Sequence, residues 1–212
     1  MHIAMSDLPP QDRYRLLVNT VMPRPIAWLS TRDREGRRNL APYSFFNALC
    51  SAPPILGIGI GPDSFRAGET EKDSLRAIRE TGEFVVALVD DANAEAMNLS
   101  AVNAPVGADE FDIAGIEAGE ARLVQASLVA SSPVNFECRL WQMLEPAPHS
   151  AIVLGEVVAV KIDDRVVGEE DGKLRIDGPA MELVGRAHGA GWYWRGGELM
   201  QIERKNWPLD EG

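Results

Sequence analysis

The sequence predicts a mainly β protein, in which a β-barrel carries a few appended helices. Short β-forming runs outnumber helical patterns along the chain. They occur in the order strand pair, strand, helix, strand, which does not fit the regular β–α alternation of a doubly wound sheet. No internal repeat, low-complexity tract or linker divides the 212 residues. We therefore expect one domain over 1–212, with its core at about 20–195.

The first two predicted strands form a hairpin. Residues Ile26 to Thr31 make a short apolar run rich in β-forming side chains. The polar stretch Arg32 to Arg37, which contains Gly36, predicts the turn. Pro42 interrupts the returning strand, Asn39 to Phe46, and has no backbone N–H to donate. It predicts an edge strand, a bulge, or a place where a ligand replaces the neighbouring strand.

A strand and a helix come next. Residues Ile55 to Ile60 predict a strand, and the glycines at 57, 59 and 61 indicate tight packing because Pro62 follows them instead of a helix. Residues Asp73 to Thr81 predict a helix that Asp73 or Ser74 caps and Gly82 ends. The later predictions are a strand at Glu83–Val89, a helix at Asp90–Val102 with Asp90 or Asp91 as its cap, strands at Val129–Trp141 and Ala151–Ile162, and an exposed hairpin at Asp163–Asp177.

Composition limits the classes of partner and compartment. The formal net charge is −11, from 32 acidic and 21 basic residues, so a nucleic-acid partner is not expected. Cys50 and Cys138 are too few for a disulfide framework or a zinc site, and the three histidines lack metal-ligand spacing. We expect no metal and a reducing, cytoplasmic location. No apolar run reaches the ~20 residues of a membrane span, so no membrane partner is expected.

Two segments carry groups that suit a ligand. At Lys72-Asp73-Ser74 an ammonium, a hydroxyl and free backbone N–H groups would meet at a helix start, which favours phosphate binding. The alternative is a plain helix cap with a surface lysine. Residues Asn39 to Asn47 combine amides, a hydroxyl and aromatic rings, a mixture that suits a flat heteroaromatic ligand. The alternative is a core strand whose phenylalanines only pack. Dinucleotide-binding, P-loop and GxSxG patterns do not occur.

Taken together, these segments resemble the flavin reductase-like, FMN-binding split-barrel family. The resemblance runs from about Arg24 to Tyr193, and Gly36 to Asn47 is its most specific piece. It implies a split β-barrel of Greek-key type that binds FMN. The other matching pieces, in family order, are Arg24–Thr31, Pro53-Pro54, Lys72–Leu75, Gly82–Val86, Glu95–Asn98, Ser131–Cys138, His149–Val157 and Gly185–Tyr193.

The resemblance also implies roles for individual residues. The isoalloxazine ring would be lined by Asn39, Leu40, Ala41 and Ser44, the ribityl chain by Phe46, Asn47 and Cys50, and the phosphate by Lys72 and Ser74. Arg186, a further cofactor-binding residue, and His149, the candidate catalytic residue, would lie near the flavin or the nicotinamide entrance. Three features depart from the family pattern. Cys50 stands where many relatives have serine, Ala147-Pro148 replaces a common Gly-Asp pair, and His188 occupies a position that is usually glycine.

The implied activity is that of an NAD(P)H-dependent flavin reductase. Hydride would pass from NAD(P)H to FMN, or to FAD, and a partner oxygenase or another acceptor would use the electrons. The family's members are homodimers with sites at the subunit interface. One alternative is an FMN-carrying electron-transfer protein that does not oxidise NAD(P)H, and another is a non-redox barrel that binds a different small molecule or acts as a scaffold. The sequence leaves open the choice of flavin, nicotinamide and final acceptor, and the effect of His188 on the pocket.

Overall fold

The computed structural model describes residues 1–63, 65, 71–197 and 199–202. Its strands in chain order are β1 Ala27–Arg32, β2 Arg38–Tyr43, β3 Phe46–Ser51, β4 Pro54–Ile60, β5 Glu83–Leu88, β6 Ala118–Gly119, β7 Leu128–Val129, β8 Val134–Ala147, β9 Ser150–Ile162, β10 Val167–Glu170, β11 Lys173–Ile176, β12 Val184–Arg186 and β13 Tyr193–Arg195. Seven of them form one sheet in the order β2-β1-β5-β8-β9-β4-β3. All its strand pairs are antiparallel. The predicted mainly β fold is confirmed.

The predicted returning strand Asn39 to Phe46 is in fact two strands. β2 ends at Tyr43 and pairs with β1, whereas β3 begins at Phe46 and pairs with β4. β2 and β3 are therefore the two edges of the sheet, although only residues 44 and 45 connect them. The sheet is rolled into a barrel that stays open between these edges. Pro42 lies on β2, so its predicted edge position is confirmed.

The helices are α1 Pro10–Thr20, α2 Asp73–Thr81, α3 Ala94–Leu99 and α4 Glu110–Ala114. α2 has the predicted bounds and ends at Gly82, which adopts a left-handed φ of 69°. The predicted cap is wrong: Lys72 is the N-cap residue and makes no side-chain cap hydrogen bond. Asp73 instead pairs with Arg76 one turn along, and the Ser74 side chain is buried. The Ser74 hydroxyl hydrogen-bonds to the hydroxyl of Tyr43 instead of capping the helix.

The second predicted helix is shorter than the sequence pattern indicates. A 3-10 turn at Asp91–Asn93 precedes α3, which ends at Leu99. Asp90 does cap this segment, accepting a hydrogen bond from the Asn93 N–H at 3.2 Å. Val102, the last residue of the predicted helix, is 47% exposed and lies beyond the end of α3. The helix therefore stops where its buried face ends.

Two layers of apolar packing hold the barrel and its helices together. Inside the barrel, Leu29, Ile58 and Phe84 pack against Leu75 and Ile78 of α2. On the outer face, the core contains Trp28 and Leu40 from the sheet, Met97 from α3 and Phe111 from α4. α2, α3 and α4 all contact β2 as a result. Among the helices in the described ranges, none is long and apolar enough to cross a membrane.

The glycine-rich strand β4 is tightly packed, as the sequence predicts. A Cβ added at Gly57 would lie 2.3 Å from Cδ1 of Leu49, and one added at Gly59 would lie 3.0 Å from Cβ of Phe45. A larger residue at Gly59 would press on the base of the Phe45 side chain, whereas one at Gly57 would require the exposed Leu49 side chain to move. These glycines therefore serve the packing of the β3 edge, and neither lines the cavities described below.

Candidate functional site

Two adjoining cavities lie along the β2 edge. The smaller, about 110 Å³, is at the start of α2, and we call it the α2 cavity. The larger, about 510 Å³, reaches β12 and β13, and we call it the β12 cavity. Both are lined by Pro42, Tyr43 and Ala101. They therefore form one cleft whose floor is the edge strand, with a different chemical character at each end.

The α2 cavity contains four of the residues that the sequence singles out: Asn39, Ala41, Lys72 and Ser74. The Ser74 hydroxyl lies 2.5 Å from the hydroxyl of Tyr43, and either atom can be the donor. Burial raises the pKa of the Tyr43 phenol, against the opposing effect of the Ser74 hydrogen bond, so it stays protonated. Lys72, half-buried at the helix start, supplies an ammonium group beside this pair.

Glu110 at the start of α4 is a site residue that the sequence analysis missed. It is only 5% exposed and lines the α2 cavity. Its Oε2 accepts hydrogen bonds from the Asn39 side-chain amide at 2.9 Å and from the Leu40 N–H at 3.0 Å. Burial raises the pKa of the Glu110 carboxyl, although these hydrogen bonds pull the pKa down. No local pattern marks Glu110, because its partners lie about 70 residues earlier in the chain.

The bond from Leu40 to Glu110 fixes what the edge strand offers to a ligand. Because the Leu40 N–H donates to Glu110, it points away from β1. Pro42 lies two residues further along β2, so its backbone faces the same side, but it has no N–H. In an antiparallel strand the C=O of a residue points to the same side as its N–H. Leu40 is fully buried, so at this edge the half-buried Pro42 can offer a carbonyl acceptor but no donor, an arrangement that suits a ring N–H.

The β12 cavity has aromatic and apolar walls with a few polar groups. Tyr14 of α1, Met97 of α3 and Tyr193 of β13 line it. The guanidinium of Arg186 stands over the Tyr193 ring, 4.8 Å from its centroid, and donates to the Gly189 carbonyl at 3.2 Å. A cavity with this volume and this mixture of groups is typical of a site for a flat aromatic ligand.

The model of the flavin reductase like domain family matches residues 19–181 of the chain. The protein belongs to the flavin reductase-like family. The matched segment contains the α2 cavity and the whole of the seven-stranded sheet.

Three solved structures illustrate the likeness of this family member to known proteins. The 2-nitrobenzoate 2-nitroreductase NbaA of Pseudomonas fluorescens is 28% identical, with a TM-score of 0.87 and 100% of both chains covered. Component B of nitrilotriacetate monooxygenase from Bacillus cereus is 28% identical, with a TM-score of 0.85 over 95% of this chain and 98% of that one. A Shewanella frigidimarina protein, described as a flavin reductase with a split barrel domain, shares the fold at 23% identity and a TM-score of 0.78, covering 96% and 99%.

Several residues that the family resemblance implies do not line the cleft. Leu40 is fully buried in the core and lines neither cavity. Phe46, Asn47 and Cys50 lie on β3, the opposite edge of the sheet, and Asn47 and Cys50 are exposed there. His149 lies exposed in the turn between β8 and β9, with a φ of 56°. One chain therefore brings Asn39, Ala41, Ser44, Lys72, Ser74 and Arg186 together and leaves these others apart.

His188, which departs from the family pattern, also lies outside the cleft lining. It is exposed, and its ring stacks on Trp192 with the ring centroids 5.6 Å apart. Over the parts of the chain that the structure describes, no three metal-ligating side chains come together.

Proposed function

We propose that the protein is an NAD(P)H-dependent flavin reductase that binds FMN in the cleft along β2. The observation that carries this proposal is the cleft itself. Its α2 end has an ammonium and hydroxyl groups beside a helix start, and of the carboxylates of Asp63, Asp73 and Glu110 that also line it, Asp73 pairs with Arg76 and Glu110 accepts two hydrogen bonds. Its floor presents a backbone acceptor at Pro42, and its β12 end has aromatic walls. This arrangement fits the phosphate, the ring edge and the ring faces of a flavin in that order. FAD is the alternative flavin.

Each end of the cleft has a separate task. Lys72 and Ser74 would hold the phosphate, while Tyr14, Met97 and Tyr193 would pack against the ring and exclude water. The Arg186 guanidinium would attract the anionic dinucleotide toward the β12 end. The bound flavin supplies the hydride chemistry, so the protein has only to position the two rings at reactive distance. No general acid or base is required for that step.

In the proposed homodimer, the implied site residues that lie away from the cleft would come from the second copy of the chain. Leu49, Trp141, Leu144 and Ile152 are between 40% and 58% exposed on β3, β8 and β9. Leu144 and Ile152 are register partners, so their side chains lie on the same face of the sheet. Exposed apolar residues in a group mark an interaction surface. A second copy on this surface would place its Phe46, Asn47, Cys50 and His149 near the cleft, with His149 as the candidate at the nicotinamide entrance.

The rest of the proposal concerns setting and partner. The structural neighbour from Bacillus cereus is a component of a monooxygenase, which supports an oxygenase as the user of the electrons. Cys50 and Cys138 are free thiols, which favours the cytoplasm. We also propose that 1–212 is one domain, and that neither nucleic acid nor a membrane is a partner.

The decisive experiment follows FMN binding and NADH loss in one preparation. We expect quenching of FMN fluorescence on addition of the protein, and FMN-dependent oxidation of NADH well above the protein-free rate. FMN binding without faster NADH loss would show that the protein is not an NADH-dependent reductase and would favour an electron-transfer protein. Failure to bind FMN or FAD would favour the non-redox alternative and overturn the proposal.

A further inference from the structure

Arg24 is a buried cation without a carboxylate partner in the described parts of the chain. It is 6% exposed, and none of the salt bridges there includes it. Its guanidinium donates to the carbonyls of Val18 at 2.8 Å, Val21 at 2.6 Å and Ala187 at 3.3 Å. Its Nε donates to the Ser44 hydroxyl at 3.4 Å. Buried charges are normally paired with opposite charges, because an unpaired charge is costly to bury, so the unpaired charge of Arg24 requires an explanation.

The hydrogen bonds of Arg24 connect three segments of the chain, one of which, at Ser44, lines the β12 cavity. They join the end of α1, the segment after β12, and the connection between β2 and β3. The Arg24 backbone also exchanges two hydrogen bonds with Arg186, of 3.0 and 2.8 Å. A neutral donor could make such contacts to carbonyls at a lower cost of burial. The position of Arg24 explains why α1 and β12 meet here, but it does not explain why the group is charged.

The contact with Arg24 uses the oxygen of the Ser44 hydroxyl as an acceptor. Ser44 lines the β12 cavity. Because the hydroxyl oxygen accepts from Arg24, its own proton is free for another acceptor, and no described residue accepts it. A donor that is itself bonded to a cation becomes a stronger donor. Ser44 therefore presents a polarised O–H to whatever lies in the β12 cavity.

The two ends of the cleft differ in charge. Among the described residues, Asp63, Asp73 and Glu110 line the α2 cavity, whereas no carboxylate lines the β12 cavity and Arg186 does. Burial lowers the pKa of Arg24, the nearby Tyr14 raises it, and the charge of Arg186 lowers it further. In a protein with a net charge of −11, a carboxylate-free cavity beside two arginines favours a ligand that gains negative charge.

We propose that Arg24 is a positioning residue that turns the Ser44 proton toward the bound flavin ring and favours the reduced, anionic form of the flavin. This inference rests on the proposed function. Hydride transfer moves two electrons and one proton from NAD(P)H to the ring, leaves NAD(P)⁺, and adds one negative charge to the flavin. Arg24 and Ser44 would stabilise that charge and thereby raise the midpoint potential of the bound flavin.

The test compares the affinity of the protein for oxidised and for reduced FMN, measured anaerobically. The affinity ratio is the affinity for reduced FMN divided by the affinity for oxidised FMN. In Arg24→Gln we expect this ratio to fall about ten-fold, equivalent to ~1.4 kcal/mol, mainly because reduced FMN binds more weakly. Arg24→Lys should restore most of the ratio, because it keeps the charge. Ser44→Ala, which leaves the carbonyl contacts of Arg24 in place, should lower the ratio by a smaller factor and tests the inference even if Arg24 variants fold poorly.

Another arginine–serine contact, made by Arg32 of β1, supplies the matched control. Arg32 donates to the Ser127 hydroxyl at 3.3 Å and lines neither cavity, so Arg32→Gln should leave the ratio unchanged. Equal losses for both forms of FMN in Arg24→Gln, or an unchanged ratio in Ser44→Ala, would overturn the inference and leave the proposed function intact. A wild-type protein that binds neither form would overturn both.

Discussion

The two edges of the sheet come from one continuous stretch, Asn39 to Cys50, yet they have opposite surroundings. β2 is covered by α2, α3 and α4, borders both cavities, and has its Leu40 N–H occupied by Glu110. Within the described ranges no helix covers β3 in this way, and its residues 47–51 are all exposed. A motif that is contiguous in sequence is therefore divided in space. One chain builds half of the implied flavin site, and in the proposed homodimer the other half would come from the second copy.

The largest expected effect concerns the exposed edge. Leu144→Asp places a charge on the apolar surface of β3, β8 and β9, where a dimer would bury it without a partner. We expect a predominantly monomeric protein, with dimerisation weakened about 100-fold or more and FMN affinity lowered with it. Sedimentation and FMN titration measure the two effects.

The control for this change is Leu174→Asp on the β11 hairpin, another exposed leucine. This substitution should alter neither the molecular mass of the dimer in solution nor the affinity for FMN. A Leu144→Asp protein that remains dimeric would show that β8 is outside the interface. A monomeric wild type that binds FMN tightly would show that β2 alone completes the site.

An intermediate effect is expected at the α2 end of the covered edge. Lys72→Ala removes the ammonium at the helix start and should weaken FMN about ten-fold, the range of one charged hydrogen bond. Riboflavin lacks the phosphate, so its affinity should not change. Lys173→Ala on β11 is the matched control. Equal losses for FMN and riboflavin would place the phosphate elsewhere in the cleft.

The smallest effect is a pH dependence of stability from Glu110. Burial raises the pKa of this carboxyl above its usual 4.5, so the folded state favours the protonated form. Glu110→Gln keeps a side-chain oxygen acceptor but no charge. As pH rises above about 4.5, the wild type should lose stability relative to the variant, by on the order of 1 kcal/mol or less.

Thermal unfolding from pH 4 to 8 measures this difference. Glu117→Gln removes an exposed carboxylate and is the control, expected to change stability little. A difference between wild type and Glu110→Gln that does not vary with pH would contradict the prediction.

The sequence predicts the elements better than it predicts their neighbours. Most strands of the sheet, the bounds of α2 and the edge position of Pro42 follow from local patterns of apolar, glycine and proline residues, whereas the division of the predicted strand Asn39 to Phe46 into β2 and β3 does not. α1, α4 and the β12–β13 hairpin were not predicted. Glu110 and Arg24 depend on contacts such as Arg24 to Ala187, 163 residues apart, which no local pattern encodes. For the same reason, sequence alone cannot say that Asn39 and Cys50 lie on different edges.

The edge at Leu40 and Pro42 has a further consequence for the behaviour of the protein in a crowded solution. An unprotected edge strand is a template on which another chain can add a strand and begin an aggregate. Here the amide hydrogen of Leu40 is occupied by Glu110, Leu40 itself is fully buried, and Pro42 has no amide hydrogen, so an incoming strand would find no free donor at either position. The chain thus keeps its ligand cleft open while denying foreign strands a place to pair.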